Sequence, residues 1–340
     1  MTPGTALREP PGAEHGVTLH DVYRARARLP VEVAPSPLVR ASWLDGRAGA
    51  DVWLKDETRG PTGAFKIRGA TNAIAALDAD ARDRGVVTVS TGNHGRAVAH
   101  AAATAGVRAV VCLSELVPEY RREAIRHLGA EVHVAGKTQD EAGELADRMA
   151  RDEGLTPVSP FDDPLVVAGQ GTIGLELVER LPDLGTVLVG LSGGGLAGGV
   201  ALAVKSIAPH VRVIGLSTDN AGAAMYESMQ AGKPVAVPEP PSLADSLGGG
   251  IGLDNRCTFG LCRDLIDDVV LLSEAEIAAG MRALYRDQRM IAEGSGSVGP
   301  AAIVGGRVSD LAGPIACIIS GNLVDMDVYT AVINGANALP

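Results

Sequence analysis

From about residue 51 the chain alternates short β-branched runs with stretches of helical period, and this alternation constrains the fold more than any other feature. The runs 51–57 (DVWLKDE), 86–90 (VVTVS), 108–114 (RAVVCLS), 131–134 (EVHV), 186–191 (TVLVGL), 211–216 (VRVIGL), 268–273 (DVVLLS) and 314–320 (PIACIIS) read as strands. Residues 66–79, 94–105, 119–128, 138–153, 165–180, 196–207, 274–286 and 325–333 read as helices between them. Strands separated by helices of this length predict βαβ units, hence an α/β fold with parallel sheets covered by helices on both faces. Ligands of such folds bind at the carboxyl ends of strands, on the turns leading into the next helix. Chemistry is therefore expected in those turns.

Composition narrows the classes. A length of 340 residues suggests two domains, at ~150 residues each. With 46% hydrophobic and 21% charged residues the chain is ordinary globular material, which excludes wholesale disorder. The 43 glycines follow no period, so they imply many tight turns and not collagen. A net charge of −11 gives no global attraction for nucleic acid or an anionic membrane. No apolar run reaches the ~20 residues of a membrane span. The opening MTPGTALREPPGAEHG lacks the order of a signal peptide, so a cytoplasmic protein is expected. Cys112, Cys257, Cys262 and Cys317 show no CxxC spacing and read as buried thiols, with no structural zinc. The Pro-rich segment 233–250 reads as a loop crossing one domain.

Only five lysines are present: Lys55, Lys66, Lys137, Lys205 and Lys233. Lys137, Lys205 and Lys233 read as solvated charges, and Lys55 as an edge or snorkelling side chain on a strand. Lys66 differs, because it follows GPTGAF at the start of an apolar helix. A helix N-terminus and partial burial both disfavour an ammonium and lower its pKa. An amine that is neutral near pH 7 is what imine chemistry requires.

Three further turns draw attention. Ser90-Thr91-Gly92-Asn93-His94-Gly95 follows a strand and opens a helix, a place where small residues and hydroxyls can gather around a carboxylate. It could equally be a helix cap. Ser192-Gly193-Gly194-Gly195-Leu196 also joins strand to helix, and its consecutive glycines make a nest of amides for one phosphate. The same stretch matches GxGxxG over 193–198, which leaves a nicotinamide-dependent oxidoreductase open, and GxSxG over 190–194. The hydrolase reading is weak, since only His210 follows Ser192. Ser320-Gly321-Asn322 ends an apolar strand, and Glu293 begins another glycine-rich turn that could reach the same pocket. No HExxH or similar metal-ligand spacing is present.

Lys66 in TGAFKIRGA, the STGNHG turn, the triple glycine and the late Ser320, in that order, resemble the fold-type II pyridoxal-phosphate enzymes, specifically the threonine/serine dehydratases. The resemblance runs from about residue 17 to the end. It implies a tryptophan synthase β-like architecture of two open, twisted, parallel-type sheets: a large domain from 1–83 and 166–340, and a small inserted domain from 84–165. Lys66 would bind pyridoxal 5′-phosphate as a Schiff base and act as the catalytic base. Phe65 would flank the ring, Asn93 would bond its 3′ oxygen, and Ser320 would face its nitrogen. Glu293 would border the cofactor, and the amides of Gly193, Gly194, Gly195 and Leu196 would take its phosphate. Ser90, Thr91, Gly92, Asn93 and His94 would hold the substrate carboxylate. The implied activity is β-elimination from a β-hydroxy amino acid to a 2-oxo acid and ammonia, by a homodimer.

Departures refine this. Ala64 replaces the usual serine of TGSFK. Thr91 stands where racemases carry an opposite-face serine, so racemisation is less expected, and Ser217 and Ala223 occupy the family's cation-site positions, so no metal is expected. Ala64 and Leu323 also leave room for a degenerate amino-acid-binding protein. STGNHGRAVAHAA, AGQGTIGLE and SLADSLGGGIGLDNRCTFGLC resemble the dehydratases of hydroxyectoine utilisation.

Overall fold

The computed structural model describes residues 10–90 and 92–339. The chain begins with α1 (Leu19–Arg28), β1 (Leu38–Arg40), α2 (Asp45–Ala48), β2 (Val52–Asp56), α3 (Lys66–Ala75), α4 (Ala79–Arg84) and β3 (Val86–Val89). It continues through α5 (Asn93–Ala105), β4 (Ala109–Leu113), α6 (Glu119–His127), β5 (Glu131–Val134), α7 (Gln139–Glu153), β6 (Thr156–Pro157) and α8 (Pro164–Arg180). The last part holds β7 (Thr186–Gly190), α9 (Gly195–Ile207), β8 (Arg212–Thr218), α10 (Ala224–Ala231), α11 (Thr258–Leu265), β9 (Asp268–Leu272), α12 (Glu274–Ala283), α13 (Val298–Val304), β10 (Ile315–Ile319) and α14 (Met326–Ile333).

The strands form two sheets, one of order β1-β2-β10-β7-β8-β9 and one of order β5-β4-β3-β6. The smaller sheet draws all its strands from between Val86 and Pro157. Period two is visible in the packing. On β10, Ile315, Cys317 and Ile319 join a core with Leu54 and Leu188, while Ala316 and Ile318 join the opposite core with Val187 and Val189. A strand buried on both faces needs an unbroken apolar run, which is what IACII and TVLVG supply.

The sheets are parallel except at one edge, where β1 pairs antiparallel to β2 with Val39 opposite Leu54. That strand has three residues and gave no periodic signal. The two-residue β6 was also unforeseen; its Pro157 is tolerated because β6 lies at a sheet edge. The stretch expected as one helix over 66–79 ends at Ala75, and Asp78 caps a second helix by accepting from Ala81 N–H. Likewise 274–286 leaves α-helical geometry after Ala283 for a π turn, Leu284–Gln288. Helices α1, α2, α10, α11 and α13 were not anticipated; Pro300 obscured the last of them.

Two lysines correct the sequence reading. Lys55 is not an edge or snorkelling residue: it is 2% exposed and paired with Glu176, next to Arg68 bonded to both Glu57 and Glu176. Lys205 is not freely solvated either, because its ammonium meets Asp267 at 2.7 Å. The four cysteines are free and buried, as expected. Among the described residues no helix is long and apolar enough to cross a membrane.

Helices α3, α8 and α9 meet through glycines. A Cβ on Gly169 of α8 would lie 2.6 Å from Gly69 Cα of α3, and one on Gly199 of α9 would lie 2.9 Å from Gly171 N of α8. No side chain fits at either crossing.

Candidate active site

Lys66 is the first residue of α3, and the turn before it is sewn to the end of β10. Phe65 N–H donates to Ser320 O at 2.9 Å, and Asn322 N–H donates to Gly63 O at 3.0 Å. Asn322, whose role the sequence left open, therefore pins the lysine turn. Glu293 N–H donates to Gly321 O at 3.1 Å, which brings a third segment to the same strand end. Lys66 Nζ donates to Pro160 O at 2.5 Å and lies 5.2 Å from the centre of the Phe65 ring. Burial pulls its amine down to about 8, against the opposing charge of Glu293. The direction is the one that the sequence argument demanded, and desolvation is its cause.

The second turn leaves β3 and enters α5 at Asn93. Gly92 N–H donates to Ser90 Oγ at 3.3 Å; Thr91, expected here, lies outside the described residues. Asn93 Nδ2 donates to both Glu293 oxygens, at 2.9 and 3.2 Å, and its Oδ1 is buried without a partner. Burial, together with the charge of Asp245, pushes Glu293 up to about 8 despite the bond from Asn93. His94 Nε2 bonds Val158 O at 3.0 Å. A carbonyl only accepts, so Nε2 carries the proton, and burial and the Lys66 charge hold the ring at about 3. Nε2 is thus committed to Val158 and Nδ1, an acceptor in this tautomer, is buried without a partner, so the main chain of His94, at the start of α5, is the part suited to an anion.

The third turn follows β7. Gly194 has φ +86°, and α9 begins at the next residue. A Cβ on Gly193 would sit 2.4 Å from Phe161 Cδ1, and one on Gly194 would sit 2.7 Å from Met225 Cε. These positions need glycine, and the successive N–H groups at the helix start make an anion nest. Ser192 Oγ donates to Gly248 O at 3.4 Å and His210 is exposed, so the hydrolase arrangement is not formed.

Every expected site residue with a described position borders one cleft of about 1370 Å³, bounded by both sheets and the 235–253 loop. The structure adds residues that the sequence did not single out: Phe161, Arg121, Glu144 and Asp147. Asp245, in the Pro-rich segment, also lines it. The cation-site positions stay outside this picture, with Ser217 and Ala223 both buried.

A family model described as "Pyridoxal-phosphate dependent enzyme" matches residues 30–321. The chain belongs to the pyridoxal-phosphate-dependent enzymes. A Sinorhizobium fredii protein named "Putative threonine dehydratase" is 50% identical over 319 residues, 94% of this chain and 96% of its own. An L-threonine ammonia-lyase of Thermotoga maritima is 40% identical over 319 residues, covering 94% and 78%. Among solved structures, maize serine racemase superposes with a TM-score of 0.87 at 31% identity over 94% of this chain and 97% of that one. The processed threonine deaminase isoform 2 of Solanum lycopersicum does so with 0.86 at 32% over 99% of both. These place the chain among the fold-type II enzymes, in the threonine/serine dehydratase group, and set aside the nicotinamide reading of GxGxxG.

The residues present fit pyridoxal phosphate. A desolvated amine, a glycine nest with an anion's geometry and a buried amide oxygen without a partner border one space. The family's cofactor would be held by Lys66 at one end and by Gly193, Gly194, Gly195 and Leu196 at the other.

Proposed function

We propose that this pyridoxal-phosphate-dependent ammonia-lyase converts a β-hydroxy amino acid to a 2-oxo acid and ammonia. The relatives' names point to threonine; serine and a hydroxyectoine-derived compound are the other candidates. The observation that carries the reading is the Lys66 amine. It is desolvated, has no carboxylate bonded to it among the described residues, and faces a cleft bordered by the glycine nest and by the turn that enters α5.

When bound, pyridoxal phosphate supplies the electron sink that makes the substrate Cα–H acidic. The protein's task is to place and move protons. The start of α5, with Ser90 Oγ and the N–H groups of Gly92, Asn93 and His94, orients the substrate carboxylate. Lys66 Nζ takes the Cα proton as general base. The β-hydroxyl leaves as water once protonated, and the released enamine regains that water in solution as it hydrolyses to 2-oxo acid and ammonia. Ser320 is the residue that would face the ring nitrogen of the bound cofactor, and its neutral hydroxyl would support elimination less strongly than a carboxylate supports charge on the ring.

The four-stranded sheet and its helices, 84–165, serve as the smaller inserted domain and close over substrate held against the larger one. Buried free thiols suit a reducing cytoplasm, and a homodimer is the expected assembly. The reading is tested by incubating holoenzyme with threonine, serine and 3-hydroxyaspartate and measuring ammonia and 2-oxo acid together. Equimolar release of both supports it; binding without release leaves only an amino-acid-binding protein.

A further inference from the structure

Glu293 is a buried carboxyl that borders the cleft, and its side-chain partner is an amide, not a cation: Asn93 Nδ2 lies 2.9 and 3.2 Å from its two oxygens. The main chain fixes where this carboxyl lies. Glu293 N–H donates to Gly321 O at 3.1 Å, and Glu293 O accepts from Gly296 N–H at 3.0 Å and from Ser297 Oγ at 2.9 Å. A Cβ on Gly321 would lie 2.7 Å from Glu293 Oε1, so the carboxyl rests directly on the main chain just past β10. No side chain at position 321 allows this approach.

Asn93, the first residue of α5, is buried and borders the same cleft. An ionised carboxylate only accepts, so it takes the Nδ2 end of the amide, and one of the two N–H groups suffices for that bond. The other end is left worse off, because Oδ1 is enclosed and has no partner. An enclosed acceptor without a donor is unfavourable, so the amide has no reason of its own to lie this way round. The carboxylate imposes the orientation. A protonated carboxyl would instead donate, and Oδ1 would turn to meet it, carrying Nδ2 into the enclosure. Burial and the charge of Asp245 oppose ionisation of Glu293, whereas the Asn93 bond, the main chain of Leu323 and the Lys66 charge favour it, with the balance at about 8.

Resting on the reading that Asn93 meets the 3′ oxygen of the cofactor, we propose that Glu293 is a positioning residue that holds the Nδ2 end of Asn93 for that oxygen. It acts through Asn93 and has no need to touch the cofactor. A 3′ oxygen bearing negative charge accepts from Nδ2 and is repelled by Oδ1, so the orientation of one amide decides whether this contact attracts or repels. The contact therefore strengthens as Glu293 ionises.

The test uses apoprotein and two ligands without an aldehyde, pyridoxine 5′-phosphate and 3-deoxypyridoxine 5′-phosphate, titrated by calorimetry below and above pH about 8. Neither ligand bonds covalently to Lys66, and the ratio of their affinities cancels what the Lys66 charge adds to each. The hydroxyl-bearing ligand is expected to bind about tenfold tighter at the upper pH, the scale of one hydrogen bond to a charged group, and this margin should narrow as pH falls. Glu293→Gln still accepts from Asn93 but does not titrate, so it should keep the margin at both pH values. Glu293→Leu should lose it. A margin that survives in Glu293→Leu overturns the proposal, even where both ligands bind more weakly, since that is the signature of packing alone. If Glu293→Leu does not fold, the parent and Glu293→Gln decide: the same pH dependence of the margin in both overturns the proposal. Asn93→Ala separates the two readings. A margin retained there removes Asn93 from the 3′ oxygen, whereas a margin lost in Asn93→Ala and kept in Glu293→Leu overturns the role of Glu293 alone. No turnover enters these readouts, so failure of the elimination reading shows separately, as the absence of ammonia.

Discussion

Lys55 and Lys66 lie eleven residues apart, one near the end of β2 and the other at the start of α3, and both have lost water. Their partners differ. Burial lowers the Lys55 amine, and Glu176 and Glu57 restore part of the loss by direct attraction. Burial pushes Glu176 up, but Arg68 and Lys55 outweigh this and hold it below its ordinary value. Among the described residues Lys66 has only a backbone carbonyl, Pro160 O, in bonding contact, and it drops to about 8. A buried lysine with carboxylates becomes a structural cation. One without them becomes a reagent.

The sharpest way to break this comparison is to remove each amine. Lys66→Ala should lower turnover by at least ~10³-fold and abolish covalent cofactor binding, while its far-ultraviolet circular dichroism stays that of the unaltered protein. Survival of turnover would sink the assignment. On the other side, Arg68→Met leaves Glu57 and Glu176 buried with less counter-charge. The expected loss is about 3–5 kcal/mol of stability, read by denaturant unfolding, and a variant as stable as the parent would mean the network is not structural. Gly194→Ala touches neither lysine, yet it forces φ +86° on a residue with a side chain. At about 1–2 kcal/mol for that conformation, cofactor affinity should fall about tenfold in a fluorescence titration. The smallest effect sharpens the contrast. Uptake of cofactor by the apoprotein needs a free amine, so its rate should level off above pH about 8 and fall as pH drops below it. Glu293→Gln removes the charge that opposes burial, so the midpoint should move downward.

Much of the sheet core was legible, because β4, β7 and β10 are unbroken apolar runs buried at every residue. One edge of each sheet was not, since β1 has too few residues for a period and β6 contains a proline, whereas the opposite edges β9 and β5 were read. Site turns could be read where chemistry is concentrated in a few consecutive residues, as in 90–95 and 192–196. Pairings across the chain could not. The Asn93–Glu293 bond joins residues two hundred apart, and Phe161, in the stretch between β6 and α8, meets Gly193 and Gly195 of the nest. Lys55 misled because sequence shows that a lysine is on a strand but not that Glu176 waits on a helix behind it.

The glycine crossings of α8 have a consequence for how this enzyme can vary. One helix sets the gauge between the lysine-bearing helix α3 and the nest-bearing helix α9, with backbone on backbone and no side chain to trim or enlarge. A single added methyl on that spine would pry the covalent anchor away from the phosphate seat. Changes in substrate preference are thus confined to the opposite wall, where the 235–253 loop can be rewritten without moving either fixed point.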